Sequence, residues 1–179
     1  MKDNFFYLVL IIITLFLFRV IPHPPNVSPI IAFGVVSPIF FKNKINCIFI
    51  LLISMFLSDI ILGFHSYQII IYLTLATIIL FSSSNQNFIK ITITGITASI
   101  WFFLVTNFSV WLMWDYYPKN IEGLISCYIL AIPFFQNTIL STLFFTWLVY
   151  LTRNLIGNYN EKIVAYSNYL YLQFKQLYR

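Results

Sequence analysis

Apolar residues run along the chain in six stretches, at about 5–21, 28–41, 45–63, 67–81, 89–112 and 124–151, with short polar breaks between them. A helix needs about 20 apolar residues to cross a bilayer, so the pattern predicts an all-α, polytopic membrane protein of about six transmembrane helices. The breaks have local causes. Pro22, Pro24 and Pro25 cannot continue a helix and end the first span. Lys42-Asn43-Lys44, Gly63-Phe64-His65-Ser66 and Ser82-Ser83-Ser84-Asn85-Gln86-Asn87 turn the chain, and Trp114-Asp115-Tyr116-Tyr117-Pro118-Lys119-Asn120 forms an aromatic, interfacial connection into the sixth stretch. The second stretch is short, with Pro29 and Pro38 flanking Ala32 and Gly34; full crossing and a re-entrant or tilted element both fit it. Pro133 inside the last stretch predicts a kink or a broken helix.

Composition agrees with lipid as the solvent: 60% of residues are hydrophobic and 8% charged. At 179 residues the chain has room for the spans and tight loops but no soluble domain, so a transmembrane domain over 1–153 is followed by a tail, 154–179. That tail sets Tyr166, Tyr169, Leu170, Tyr171, Phe174 and Leu177 among Lys and Gln, a mix expected of a cytoplasmic amphipathic helix on the membrane surface. The net charge of +5 reads as a topology signal rather than a nucleic-acid footprint. With the N-terminus inside, Lys2, Lys42, Lys44, Lys90, Arg153, Lys162, Lys175 and Arg179 are cytoplasmic, and only Arg19 and Lys119 lie outside. Both termini are therefore expected in the cytoplasm of a multi-pass protein of a bacterial inner membrane. The segment Phe5 to Phe18 is followed by no small-x-small cleavage pattern and reads as an uncleaved first span. Cys47 and Cys127 lie in separate apolar stretches and are expected to be buried free thiols.

With this topology the rare polar residues collect on the outer side. Arg19, His23 and Asn26 follow the first span; Ser58, Asp59 and His65 close the third; Thr106, Asn107 and Trp111 lie in the outer half of the fifth. Gln136 and Asn137 come just after Pro133. An ionised Asp59 among apolar neighbours needs a partner, and Arg19 stands at similar depth. Three uses of that pair remain open: helix packing, lining a ligand pocket or holding a gating loop, and a cation or proton pathway. Asn107 and Asn137 likewise suit either interhelical hydrogen bonds or orientation of a small polar ligand. Trp111 and Trp114 suit an interfacial belt or a ligand stack. The candidate ligand-binding set is Arg19, His23, Asn26, Asp59, His65, Asn107, Trp111 and Asn137. His23 and His65 belong to no HxxH or HExxH, and no metal site or other cofactor is expected. The absence of GxSxG, of a Walker loop and of paired carboxylates argues against an enzyme.

Several short pieces resemble an uncharacterised family of small bacterial membrane proteins, a domain of unknown function. They are Asn26-Val27-Ser28-Pro29 leading to Ala32-Phe33, Ser58-Asp59-Ile60-Ile61-Leu62-Gly63-Phe64-His65, Thr106-Asn107-Phe108-Ser109-Val110-Trp111, Tyr117-Pro118-Lys119 and Pro133-Phe134-Phe135-Gln136-Asn137-Thr138. That family is in turn distantly similar to the S components of energy-coupling-factor (ECF) vitamin transporters. The resemblance implies a substrate-capture membrane subunit for uptake of a small molecule, such as a vitamin or its precursor. It also implies docking on a transmembrane coupling subunit driven by ATPases. The first span departs from the Ala-x-x-x-Ala docking face common in S components, having Phe5, Phe6, Phe16 and Phe18 instead. The alternative is a non-catalytic structural subunit that scaffolds a cell-envelope complex, with the outer polar set as helix-packing glue.

Overall fold

Helix ends fall where side chains satisfy the free backbone groups. The computed structural model describes the backbone of residues 2–41 and 43–177, and the side chains of 8–41 and 43–157. Among the described residues there are six helices: α1 (Lys2–Val20), α2 (Ile30–Phe40), α3 (Lys44–Leu62), α4 (Gln68–Phe81), α5 (Phe88–Met113) and α6 (Ile121–Leu177). Among the described residues there is no strand. Asn43 caps α3 by accepting from the Ile45 N–H at 2.9 Å, and Asn87 caps α5 by accepting from Lys90 at 2.8 Å. Asn120 does the same for α6, accepting from the Gly123 N–H at 2.8 Å. Gly63, at φ 94°, ends α3 in a conformation that a side chain would resist.

Side-chain bonds set the register between neighbours. Arg19 of α1 meets Asp59 of α3, so these two helices run parallel. Trp101 Nε1 donates to Thr77 Oγ1 at 2.9 Å and Trp114 Nε1 to Ser66 Oγ at 2.6 Å, which aligns α4 antiparallel to α5. Trp147 Nε1 donates to Thr92 Oγ1 at 2.9 Å, and Tyr128 OH to the Leu104 carbonyl at 2.7 Å, aligning α5 antiparallel to α6.

The helix α2 is the centre of the bundle. At 11 residues it is about 16 Å long, roughly half a bilayer core. It touches α3, α4, α5 and α6, and buries all but three of its residues: Ile30, Ile31, Ala32, Gly34, Val35, Val36, Ser37 and Pro38. A Cβ at Gly34 would come within 3.0 Å of Ile78 Cγ2, so the missing side chain lets α2 approach α4 closely. Around α2 the core is completed by Leu15, Cys47, Leu51, Met55, Leu75, Ile79 and Ile91. Cys47 and Cys127 are both free and buried.

Large apolar side chains also cover the outside, among them Phe49, Ile69, Phe81, Ile89, Leu140 and Leu155. Such a surface is suited to lipid rather than water. By length and composition α3, α5 and the Ile121–Gly157 part of α6 could each cross a membrane; Leu8–Val20, α2 and α4 are shorter apolar helices.

Two expectations about α6 need correction or limits. Pro133 does not break it: the helix is continuous from Ile121 through Pro133 to Leu177. Packing on both flanks holds it against the lost hydrogen bond, through the Tyr128 bond to α5 and the Phe135 ring stacked on Phe103 at 4.4 Å. The helix also runs on past 151, where the sequence suggests an end; the side chains of the tail beyond Gly157, and hence its amphipathic surface role, lie outside the described residues.

Candidate functional site: an ion-pair network beside a central cavity

Asp59 lies one turn from the end of α3 and is 1% exposed. A carboxylate at that depth is stable only with strong donors around it, and three elements supply them. Arg19, at the end of α1, places one terminal nitrogen 2.5 Å from Asp59 Oδ1, with the other against Met55 Sδ. Tyr72 OH donates to Asp59 Oδ2 at 2.6 Å, and the Gln68 amide donates to the same oxygen. Gln68 Nε2 lies 2.7 Å from Tyr72 OH, while its carbonyl accepts from the His65 N–H at 3.1 Å. Every strong group in the cluster is therefore partnered, and α1, α3 and α4 are tied at one level.

Beside this network is a cavity of about 280 Å³. Its wall comes from every helix. Arg19 enters from α1; His23, Asn26 and Ser28 from the following loop; Ile30 and Ile31 from the start of α2. Met55 and Leu62 of α3, Ile71 and Leu75 of α4 and Phe102 of α5 form an apolar side, and Thr138 and Ser141 of α6 a polar one. The cavity thus combines a mainly apolar wall with a few converging polar groups, the usual make-up of a small-molecule site. A second hollow of about 330 Å³, between α4 and α5, is almost wholly apolar and is lined by Ile78, Phe81, Ser82, Thr94, Thr97, Ala98 and Trp101. It has no such convergence.

The loop over α2 is fastened to the middle of α6. Asn137 Nδ2 donates to the Pro25 carbonyl at 3.0 Å, and Ser141 Oγ to the Asn26 carbonyl at 3.1 Å. Asn26 has φ 63°, a left-handed conformation that Asn tolerates better than most residues, and its amide reaches toward the Phe134 carbonyl at 3.5 Å. Asn137 stands about 24 Å along α6 from its start, so the loop descends into the bundle and delivers the first residues of α2 to the cavity.

Of the eight candidate residues, Arg19, His23 and Asn26 line this cavity. Asp59 stands behind Arg19. Asn137 holds the loop rather than the wall. Asn107 donates to the Phe103 carbonyl of its own helix at 2.8 Å. Trp111 Nε1 donates to the Pro118 carbonyl at 2.9 Å and belongs, with Lys119, to the α5–α6 connection; the Lys119 ammonium donates to the carbonyls of Trp111 and Trp114. His65 is exposed, its ring 5.9 Å from Tyr67. Tyr67 in turn meets Trp114 edge-on at 5.3 Å, and burial pushes its phenol pKa up, with Tyr116 adding to the effect. Among the described residues no three His, Cys, Asp or Glu side chains gather where they could hold a metal.

Sequence reasoning missed Gln68, Tyr72, Ser28, Thr138 and Ser141 as members of the site. A signal existed for the first two: they lie four apart, on one face of α4, with Gln68 a lone amide at the head of an apolar run.

Residues 1–164 match a family of unknown function, DUF6580, and the chain belongs to that family. No curated protein and no solved structure matches it.

Proposed function

We propose, with membership of a family of unknown function as the premise, that the chain is a non-catalytic, substrate-capture subunit of the bacterial inner membrane. In this reading it resembles an S component and takes up a small molecule such as a vitamin or its precursor. The observation that carries the proposal is the cavity of about 280 Å³, to which all six helices or their connections contribute. Converging walls of this kind cost packing contacts, and helix packing alone does not call for them. The ends of the bundle support an outward-facing site. Lys44, Lys90 and Arg153 lie at the end remote from the cavity, which the positive-inside rule assigns to the cytoplasm. With both termini on that side, all six helices sit in the bilayer, and α2 occupies only its inner half.

In such a subunit Arg19 and the loop from His23 to Ser28 meet the ligand first. The Asn137 and Ser141 bonds hold that loop, and the Asp59 network fixes the Arg19 fork in place. No energy-coupling element is evident in the chain, so release to the cytoplasm falls to a transmembrane coupling subunit with ATPases.

A second reading has its own observation. The Arg19–Asp59–Gln68–Tyr72 cluster is fully partnered, and Asn107 and Trp111 are spent on internal bonds. A structural scaffold of a cell-envelope complex would need no more than that. Deleting the gene separates the two: the capture reading expects a nutritional requirement, relieved by adding one compound to the medium, with normal cell shape. Altered shape without any such requirement would support the scaffold and contradict capture.

A further inference from the structure

We infer that the cavity is built for a singly charged anion with an apolar body, a small monocarboxylate, with Arg19 as the group that recognises its charge. The inference rests on the capture reading and specifies its ligand.

The charge balance at the wall supports it. Among the described residues the one acidic group nearby, Asp59, is 1% exposed and shielded by Arg19, Gln68 and Tyr72, and none of the residues that line the cavity is acidic. A ligand cation would find no carboxylate to meet. Arg19 does line the cavity, with its side chain 17% exposed. Its guanidinium has five N–H donors, and the contacts to Asp59 and Met55 engage its two terminal nitrogens without exhausting them. Asp59 keeps two further donors, so sharing the guanidinium with a second carboxylate does not leave it stranded.

The floor adds to the same sign. Ile30 and Ile31, the first residues of α2, line the cavity; Ser28 Oγ accepts from the Ile30 N–H at 3.3 Å, and no acidic residue lies in the first turn. No carboxylate therefore offsets the positive end of the helix dipole there. Ser28 and Asn26 bring further polar groups.

The rest of the wall limits the ligand. Ile30, Ile31, Met55, Leu62, Leu75 and Phe102 would cover an apolar body. The Arg19 charge is already shared with Asp59, so one further carboxylate is the most it can take; a phosphate monoester, with up to about two charges, would be left short of partners in a mostly apolar wall. A cavity of about 280 Å³ suits a compact acid.

The test compares three probes of one shape on the full chain purified in mild detergent: phenylacetate, phenylacetamide and phenethylamine. Thermal unfolding is followed across a concentration series of each. Phenylacetate is expected to stabilise at concentrations about tenfold lower than the amide, with the amine weakest. The double variant Arg19→Gln/Asp59→Asn keeps the shapes and removes both charges, and in it acid and amide should become equal. Equal response of the wild type to acid and amide, preference for the amine, or silence toward all three overturns the anion inference. So does an acid preference that persists in the double variant. If that variant does not fold, the wild-type acid-to-amide comparison decides by itself. None of these results touches the capture reading, which is tested separately, by the deletion phenotype and by whether the protein from its own membranes carries a small molecule.

Discussion

Replacing Asp59 by Leu is expected to remove about 3–5 kcal/mol of stability, enough to lose most of the folded protein from a mild-detergent preparation. The side chain is 1% exposed, and its removal leaves the Arg19 guanidinium without its counter-charge in an apolar interior. Gln68 and Tyr72 lose an acceptor at the same time. The double variant Arg19→Met/Asp59→Leu restores much of the loss, because the greater part of the single-variant penalty is an unpaired buried charge rather than the worth of the pair. Thermal unfolding of the single and double variants measures this. A single variant as stable as the wild type, or a double variant no better than the single, would contradict the network as drawn.

Gly123→Ala is expected to be the most damaging change of a small residue, at about 3 kcal/mol. A Cβ there would fall 2.0 Å from the Pro118 carbonyl oxygen and 2.9 Å from its carbon, both backbone atoms that cannot rotate away. The connection from Trp114 to Asn120 must shift, and with it the Trp111 bond to Pro118 and the Lys119 bonds that close α5. Gly157→Ala, with nothing within 4 Å of its Cβ, is the control and should be neutral or gain up to about 1 kcal/mol from helix propensity. Equal melting temperatures for the two alanine variants would rule out the close contact at Pro118.

Helix ends were legible because single residues dictate them. Pro22 to Pro25, Asn43, Gly63, Asn87 and Asn120 act through geometry local to the chain, so α2 to α5 could be placed closely from sequence, while the far end of α6, with no such residue at 151, could not. The break at Pro133 does not occur, for the opposite reason: its local cost is outweighed by the packing of Tyr128 and Phe135 of α6 against α5, a tertiary effect that no window of sequence contains. The Arg19–Asp59 pair was legible, since two opposite charges at one depth in lipid have few alternatives. Its remaining partners were not. Tyr72 and Gln68 matter only because α4 packs beside α3 at that register, and the sequence says nothing of register.

Asn107 and Asn137 show the same limit. Both are lone amides among Phe, Leu and Ile, yet one bonds within its own helix and the other holds a loop more than a hundred residues away. The hydroxyls of Thr138 and Ser141 look like ordinary small residues in sequence and become cavity wall only through the descent of the loop.

The central claim is that the cavity beside Arg19 holds a small molecule. Native mass spectrometry of the full chain, purified from its own membranes in mild detergent, tests it most directly. The account predicts a reproducible small-molecule mass that is lost in Thr138→Leu, at the cavity wall, and kept in Asn107→Leu, whose amide serves its own helix. A bare protein, or a bound mass indifferent to Thr138→Leu, would contradict it.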